Sequence, residues 1–411
     1  MGRLAVLVVL ALVVAVGATL LATRGDDRGG QDGGNGAQAG RPSLAPSADG
    51  TPYAYTTEKE LVLMRGDRPL ARVPRVFDLG DEHQNTVVWT HDGRRLAFFS
   101  DDALLERTED TRLITVDART GEVRRLPCPN CYDLAPIADH EVAVLRWDSE
   151  ATPTRALRFD LTHPEAAGTE ITAPVGNGSG WAISFLGGTR SHLLTAQYTT
   201  VSGGDTAMDL RLLDRDGKEV AAYSPFDSNA YMPAALATLG DRELIAVAAR
   251  QNPGGCAAPF PVHPLGLNGE VGGSDQSAAL PPGFLPGVTG GIEVNDLWWG
   301  PDQHLYATIS AWTCDNNEGA EDDKQRPHRP STLFRLDGEK WVSAGDQPAT
   351  VVRPLDRETR MVLTIPDCVG RTHHDDAVTH CSTGPLHREH DGKRTKVADG
   401  VLSLSAPATP S

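Results

Sequence analysis

The feature that most narrows what this chain can become is a strand–turn–strand unit that returns along its length. Its clearest copy is Leu113-Ile-Thr-Val-Asp-Ala-Arg-Thr-Gly-Glu-Val123, and Leu210-Arg-Leu-Leu-Asp-Arg-Asp-Gly-Lys-Glu-Val220 matches it almost position for position. Leu333–Val342 and Leu386–Val397 are shorter or looser versions, and weaker ones start at Leu61, Leu157 and Leu265. Successive starts lie 44 to 68 residues apart. That spacing is long for an ordinary solenoid and suits four-stranded propeller blades. A second marker precedes the unit: Val88-Trp-Thr-His-Asp-Gly-Arg-Arg-Leu-Ala-Phe98 reads as strand, turn, strand, and Leu297–Ala307 repeats it. Leu134–Val142, Ile183–Leu194 and Leu236–Ile245 are degraded versions.

From residue 52 onward, short β-rich runs alternate with turns, and no stretch of period 3.6 is long enough for a major helix. The 42 Gly and 29 Pro supply the punctuation that many short strands need. The Trp-Thr-x-Asp-Gly-x-x-Leu-Ala-Phe turn, followed by the Val-Asp-x-x-Thr-Gly-Glu-Val turn, resembles the TolB-type and WD-repeat-like β-propellers over residues 52–406. The Gly-His and Trp-Asp signature of true WD repeats is missing, which places the resemblance on the TolB-type side. It implies a fold and little about activity, because propellers host many unrelated functions.

Strand counting tests closure. Tyr53–Pro74 has room for three strands, and Val401-Leu-Ser-Leu-Ser405 supplies one more after the sixth full unit. Three plus one make a seventh blade with both chain ends in one sheet, which removes the open edge. The expected fold class is therefore all-β, a seven-bladed β-propeller over 51–406, with six or eight blades as alternatives and 407–411 as a tail.

Leu4–Ala22 is free of charge and, at about 1.5 Å per residue, long enough to span a bilayer core as a helix. With Arg3 before it, residues 1–23 are expected to be a single transmembrane signal-anchor with the remainder extracytoplasmic. A cleaved signal peptide, with Val16-Gly17-Ala18 as the site, is the competing reading and would make the protein secreted. Residues 24–50 are Gly, Asp, Pro and Ser with little to bury, and read as a flexible tether. Acidic side chains outnumber basic ones 55 to 38, for a net charge of −17, so nucleic acid is excluded as a partner.

Six cysteines in an oxidising compartment favour disulfides. Cys128-Pro-Asn-Cys131 sits in a connection between blades, and a strand rather than a helix follows it, which disfavours a thioredoxin-type redox pair. If the four strands of a blade are A to D, the B–C loops share a face with the D–A connections. They are long in three consecutive blades, at about 251–260, 313–331 and 366–384. Every cysteine falls on that face, and the expected pairs are Cys128–Cys131, Cys256–Cys314 and Cys368–Cys381.

Long insertions on one face of a repeat protein point to its binding face. The candidate binding residues are therefore Trp312, as an exposed aromatic anchor, and Asp315, Glu318, Asp322 and Asp323 in the acidic loop. His373, His374, Asp375 and His380 in the following loop complete the set. Oxygen density in the first loop suits calcium, although the spacing is not that of an EF-hand. Imidazole with carboxylate in the second suits a transition metal. A solvated surface loop is the plainer reading of both, and neither a catalytic residue, a metal nor a cofactor is assigned. Trp89, Trp181, Trp298 and Trp299 lie in or beside innermost strands, where packing between blades explains them.

The common hydrolase and nucleotide-binding motifs do not occur. The expected function is a non-catalytic scaffold that presents its loop face to a protein or cell-envelope partner. The alternatives are a glycan hydrolase or lyase at the central mouth, for which Glu293, Asp296 and His304 are the nearest side chains, and a metal or small-ligand sensor.

Overall fold

The computed structural model describes residues 50–74, 87–100, 111–147, 155–163, 167–171, 183–200, 206–226, 233–249, 260–275, 290–314, 325–366 and 383–408. The expected membrane helix, nearly all of the tether, and the Cys256, Cys368 and Cys381 side chains lie outside them. Among the described residues no helix is long and apolar enough to cross a membrane.

The strands form a succession of antiparallel meanders. The first comprises β1 (Pro52–Thr57), β2 (Glu60–Arg65) and β3 (Arg68–Pro74). Next come β4 (Val88–Trp89), β5 (Arg95–Phe99), β6 (Arg112–Asp117) and β7 (Val123–Pro127) in one sheet. A second sheet holds β8 (Cys131–Ile137), β9 (Glu141–Arg146), β10 (Arg155–Asp160) and β11 (Thr169–Ile171). The third holds β12 (Ile183–Gly188), β13 (His192–Thr200), β14 (Thr206–Asp214) and β15 (Glu219–Phe226). A shorter sheet of β16 (Ala234–Leu239), β17 (Arg242–Ala248) and β18 (Val262–Leu265) follows. Then come β19 (Gly290–Trp299), β20 (Leu305–Cys314), β21 (Gln325–Asp337) and β22 (Lys340–Gly345). The last meander is β23 (Val351–Pro354), β24 (Thr359–Leu363), β25 (Gly384–His390) and β26 (Lys393–Ser405).

β26 belongs to two meanders. Its first half pairs with β25, and after Gly400, at φ +63°, its second half pairs with β1 in the register Ala54↔Ser405 to Thr57↔Val401. The two ends of the described chain therefore meet in one sheet. First strands are neighbours in chain order, β4 with β8, β8 with β12, β12 with β16, β16 with β19, β19 with β23 and β23 with β26. The Trp89 indole N–H donates to Ser405 Oγ at 3.1 Å and brings β26 back to β4. Consecutive sheets stacked in this order make a β-propeller.

The turn residues explain where the strands stop. After β6, Asp117 Oδ1 accepts the N–H groups of Arg119 and Thr120 at 2.9 and 2.8 Å, and after β14 Asp214 Oδ1 accepts those of Asp216 and Lys218. A carboxylate that bonds the backbone two residues on builds the turn the repeated Asp was expected to build. Gly121 is required twice over: its φ is +75°, and a Cβ there would lie 2.4 Å from Leu70 O of β3.

The core lies between sheets, which is why the strands read as unbroken apolar runs instead of alternating ones. In β2, Leu61 and Leu63 pack with Trp89, Leu96 and Phe98 on one side. Val62 and Met64 pack with Leu363, Leu386 and Leu404 on the other.

Candidate functional site

The molecule has two rims of different character. On the rim of the first-to-second-strand turns, neighbouring sheets are bonded to each other. Asp92 N–H donates to Asp139 O at 2.9 Å, Ala138 N–H to Arg190 O at 3.1 Å, and Arg190 N–H to Thr238 Oγ1 at 2.9 Å. Ser191 N–H donates to Glu243 Oε1 at 2.9 Å, Arg242 Nη1 to Gln303 Oε1 at 2.6 Å, and Thr51 Oγ1 to Leu355 O at 2.8 Å. Arg190 also pairs with Asp139 at 2.7 Å, and His192 Nδ1 with Glu243. Burial works against charge on Glu243, but the hydrogen bonds from His192, Ser191 and Thr189 outweigh it and hold the carboxyl down at about 2. His91, on the same rim, is lowered by burial, which the Thr189 backbone only partly offsets. This rim is a girdle of polar groups bonded from sheet to sheet.

The first strands carry a second set of inter-sheet devices. Trp298 and Trp299 are adjacent in β19 and so point to opposite faces. Trp298 packs against Ala349, Val352 and Val362, whereas Trp299 donates its indole N–H to Ala235 O of β16 at 3.1 Å. Trp89 reaches back to the preceding sheet in the same way. Two aspartates, Asp296 buried and Asp133 partly buried, reach forward. Asp296 accepts from Val352 N–H of β23 at 3.2 Å and takes the Arg353 guanidinium with two bonds at 2.5 and 3.0 Å. Asp133 accepts Leu134 N–H at 2.8 Å and Phe185 N–H of β12 at 2.7 Å and forms no ion pair among the described residues. Burial pushes the Asp133 carboxyl up to about 7 in spite of those two donors.

The opposite rim carries the connections singled out in the sequence. Cys128 and Cys131 are disulfide-bonded, as expected, across the connection from β7 to β8, and both are buried. Cys131 opens a strand, not a helix. The pairs 256–314 and 368–381 each include a residue outside the described set. The loop expected over 313–331 is shorter than that, because β20 runs on to Cys314 and β21 begins at Gln325.

That extension corrects the reading of Trp312. It is 3% exposed and no surface anchor. Its partner across the ladder is Gly291, and a Cβ on Gly291 would come within 2.1 Å of the indole, so the missing side chain makes the space that Trp312 fills. Asp315, Glu318, Asp322, Asp323, His373, His374, Asp375 and His380 lie outside the described residues, so Trp312 is the one candidate whose placement is known. Of the side chains named for a catalytic mouth, Asp296 is engaged by Arg353, and His304 stands on the turn rim against Asp302 at 3.2 Å.

Sequence reasoning missed Asp133, although a lone carboxylate in the apolar run Cys131-Tyr-Asp-Leu-Ala-Pro-Ile137 was a visible signal. It also missed Arg353, whose role depends on a partner 57 residues away.

No family model matches the chain, and no curated protein matches it. Solved structures do. The propeller domain of the Trilobed protease from Pyrococcus furiosus is 14% identical, over 83% of this chain and 87% of that one, with a TM-score of 0.44. TolB from Acinetobacter baumannii is 12% identical over 87% and 83%, with a TM-score of 0.37. An ulvan lyase of a polysaccharide lyase family is 10% identical over 79% and 84%, at 0.40. Enzymes and a TolB protein thus stand side by side among the neighbours.

Proposed function

We propose that the chain is a seven-bladed propeller, held at the membrane by residues 1–23 through the tether 24–50. It works there as a non-catalytic scaffold that binds a protein or cell-envelope partner through its loop rim. The observation that carries this reading is the contrast between the rims. The turn rim uses its polar groups to bond sheet to sheet, whereas the longest second-to-third-strand connections, after β5, β17, β20 and β24, all leave from the other rim. Chain inserted there does not disturb the frame, and it can supply the aromatic and polar contacts that recognition needs. The blade count rests on seven first strands in succession, with the second half of β26 as the seventh. A glycan hydrolase or lyase at the central mouth is less well supported, since Asp296 is committed to Arg353.

The test is crosslinking in intact cells with the native chain and with a chain lacking 315–324 and 369–380. Both versions are first shown to melt alike. A membrane or envelope partner captured by the native chain and lost with the loops supports the scaffold. The same partners on both chains overturn it.

A further inference from the structure

On the turn rim, the β23–β24 turn and the β25–β26 turn bring Glu358, His390 and Asp391 together, with one ligand atom of each within 4.8 Å of the others. The backbone there is fixed. Asp391 and Gly392 have φ of +50° and +72°, the two-residue hairpin turn that a left-handed pair builds. Asp356 Oδ1 accepts the N–H groups of Glu358 and Thr359 at 2.9 and 2.7 Å and holds the other turn.

The imidazole is aimed. Thr359, which is buried and directly across the ladder from His390, places its Oγ1 3.0 Å from His390 Nδ1. With Nδ1 donating to that hydroxyl, Nε2 keeps its lone pair towards Asp391 Oδ2, 3.6 Å away. A second hydrogen bond that fixes tautomer and ring is the usual support of a metal-binding histidine. The carboxylates are also left uncompensated. Arg360 and Arg394 both bond Glu389, next to His390 in sequence, while neither Glu358 nor Asp391 forms an ion pair with Lys or Arg among the described residues.

We propose that Glu358, His390 and Asp391 form a surface site for a divalent transition-metal ion of the zinc class. One nitrogen and two carboxylate oxygens favour such an ion over calcium or magnesium, and a water completes the coordination. The ion joins two turns of the meander whose last strand continues into the ring-closing pairing, so it stabilises the closure. β25 runs from the loop rim at Gly384 to His390, and seven residues of strand put roughly 20 Å between its two ends.

The experiment is calorimetric titration of zinc into the untagged full chain carrying His373→Ala, His374→Ala and His380→Ala, which silences the other cluster. The expected result is saturable binding of about one equivalent. Adding His390→Ala weakens it tenfold or more, with the metal-free melting midpoint unchanged. Asp391→Asn keeps a residue suited to the left-handed turn and also weakens binding, which covers the case in which His390→Ala disturbs the fold. Absence of saturable binding in the triple variant, or binding that neither further substitution alters, overturns the site and leaves an ordinary His390–Asp391 contact.

Discussion

Leu404→Ala tests whether the C-terminal strand is part of the frame or an appendage. Leu404 is 4% exposed and packs with Tyr53, Tyr55, Leu363 and Leu386, so its truncation leaves a cavity that the rigid strands on either side cannot close. Leu-to-Ala changes at such sites cost about 3 kcal/mol, within a range of roughly 2–5. A terminal strand has an escape that an internal one lacks, since it can detach, and the loss is then capped at the free energy that holds residues 401–408 in place. Leu61→Ala, at 0% exposure in the middle of the adjoining strands, has no such escape and serves as the reference. Urea unfolding followed by tryptophan fluorescence gives both losses at a common slope. If β26 closes the ring, Leu404→Ala loses at least half of what Leu61→Ala loses, and Ser405→Ala loses about 1 kcal/mol more through the Trp89 hydrogen bond. A Leu404→Ala midpoint within about 0.5 kcal/mol of the native chain, beside a full loss for Leu61→Ala, refutes closure by this strand.

Asp133 makes stability depend on pH in an unusual direction. Its folded carboxyl titrates near 7, above the ordinary value, so its contribution is complete at acid pH and is lost as pH rises from about 4 to about 7. Asp133→Asn loses one acceptor at every pH but gains on the native chain across that window, by up to about 1.4 kcal/mol per pH unit; parallel profiles from pH 5 to 8 would rule this out. Asp296→Ala should cost about 3 kcal/mol, because it strands the partly buried Arg353 and leaves two backbone N–H groups without an acceptor. Asp296→Asn should recover part of that in a denaturation series. Gly291→Ala should cost about 1–3 kcal/mol and red-shift the tryptophan emission as Trp312 is forced out; an unshifted spectrum means the indole does not rest on Gly291.

What the sequence made legible was local. The repeat starts Leu61, Leu113, Leu157, Leu210, Leu265, Leu333 and Leu386 fall in β2, β6, β10, β14, β18, β21 and β25, the corresponding strand of each meander, because Asx turns and glycines announce themselves within a few residues. The pairing of Val401–Ser405 with the first unit was also legible, since the count of strands demanded it. What depended on a distant partner was not. Trp312 reads as a loop aromatic until its neighbour across the ladder is known to be a glycine. The polar stretch Gln325–Pro330 reads as loop because its strand character comes from the register it shares with β20, not from its own composition. Asp133 and Asp296 look like free carboxylates until the next sheet's backbone is beside them.

The same asymmetry explains how a repetitive chain acquires one distinctive face. The strand repeats keep their inward side chains, but the linking devices differ from sheet to sheet: Trp89 and Trp299 reach backward, and Asp133 and Asp296 reach forward. The turn rim cannot take extra residues without breaking contacts such as Asp92 to Asp139 or Arg242 to Gln303. On the loop rim, doubling a loop adds only about 0.6 kcal/mol of closure entropy, a small charge against a frame whose sheets are bonded elsewhere. Chain can therefore accumulate after β17, β20 and β24 without loosening the propeller, which is where a surface adapted to one partner can be built.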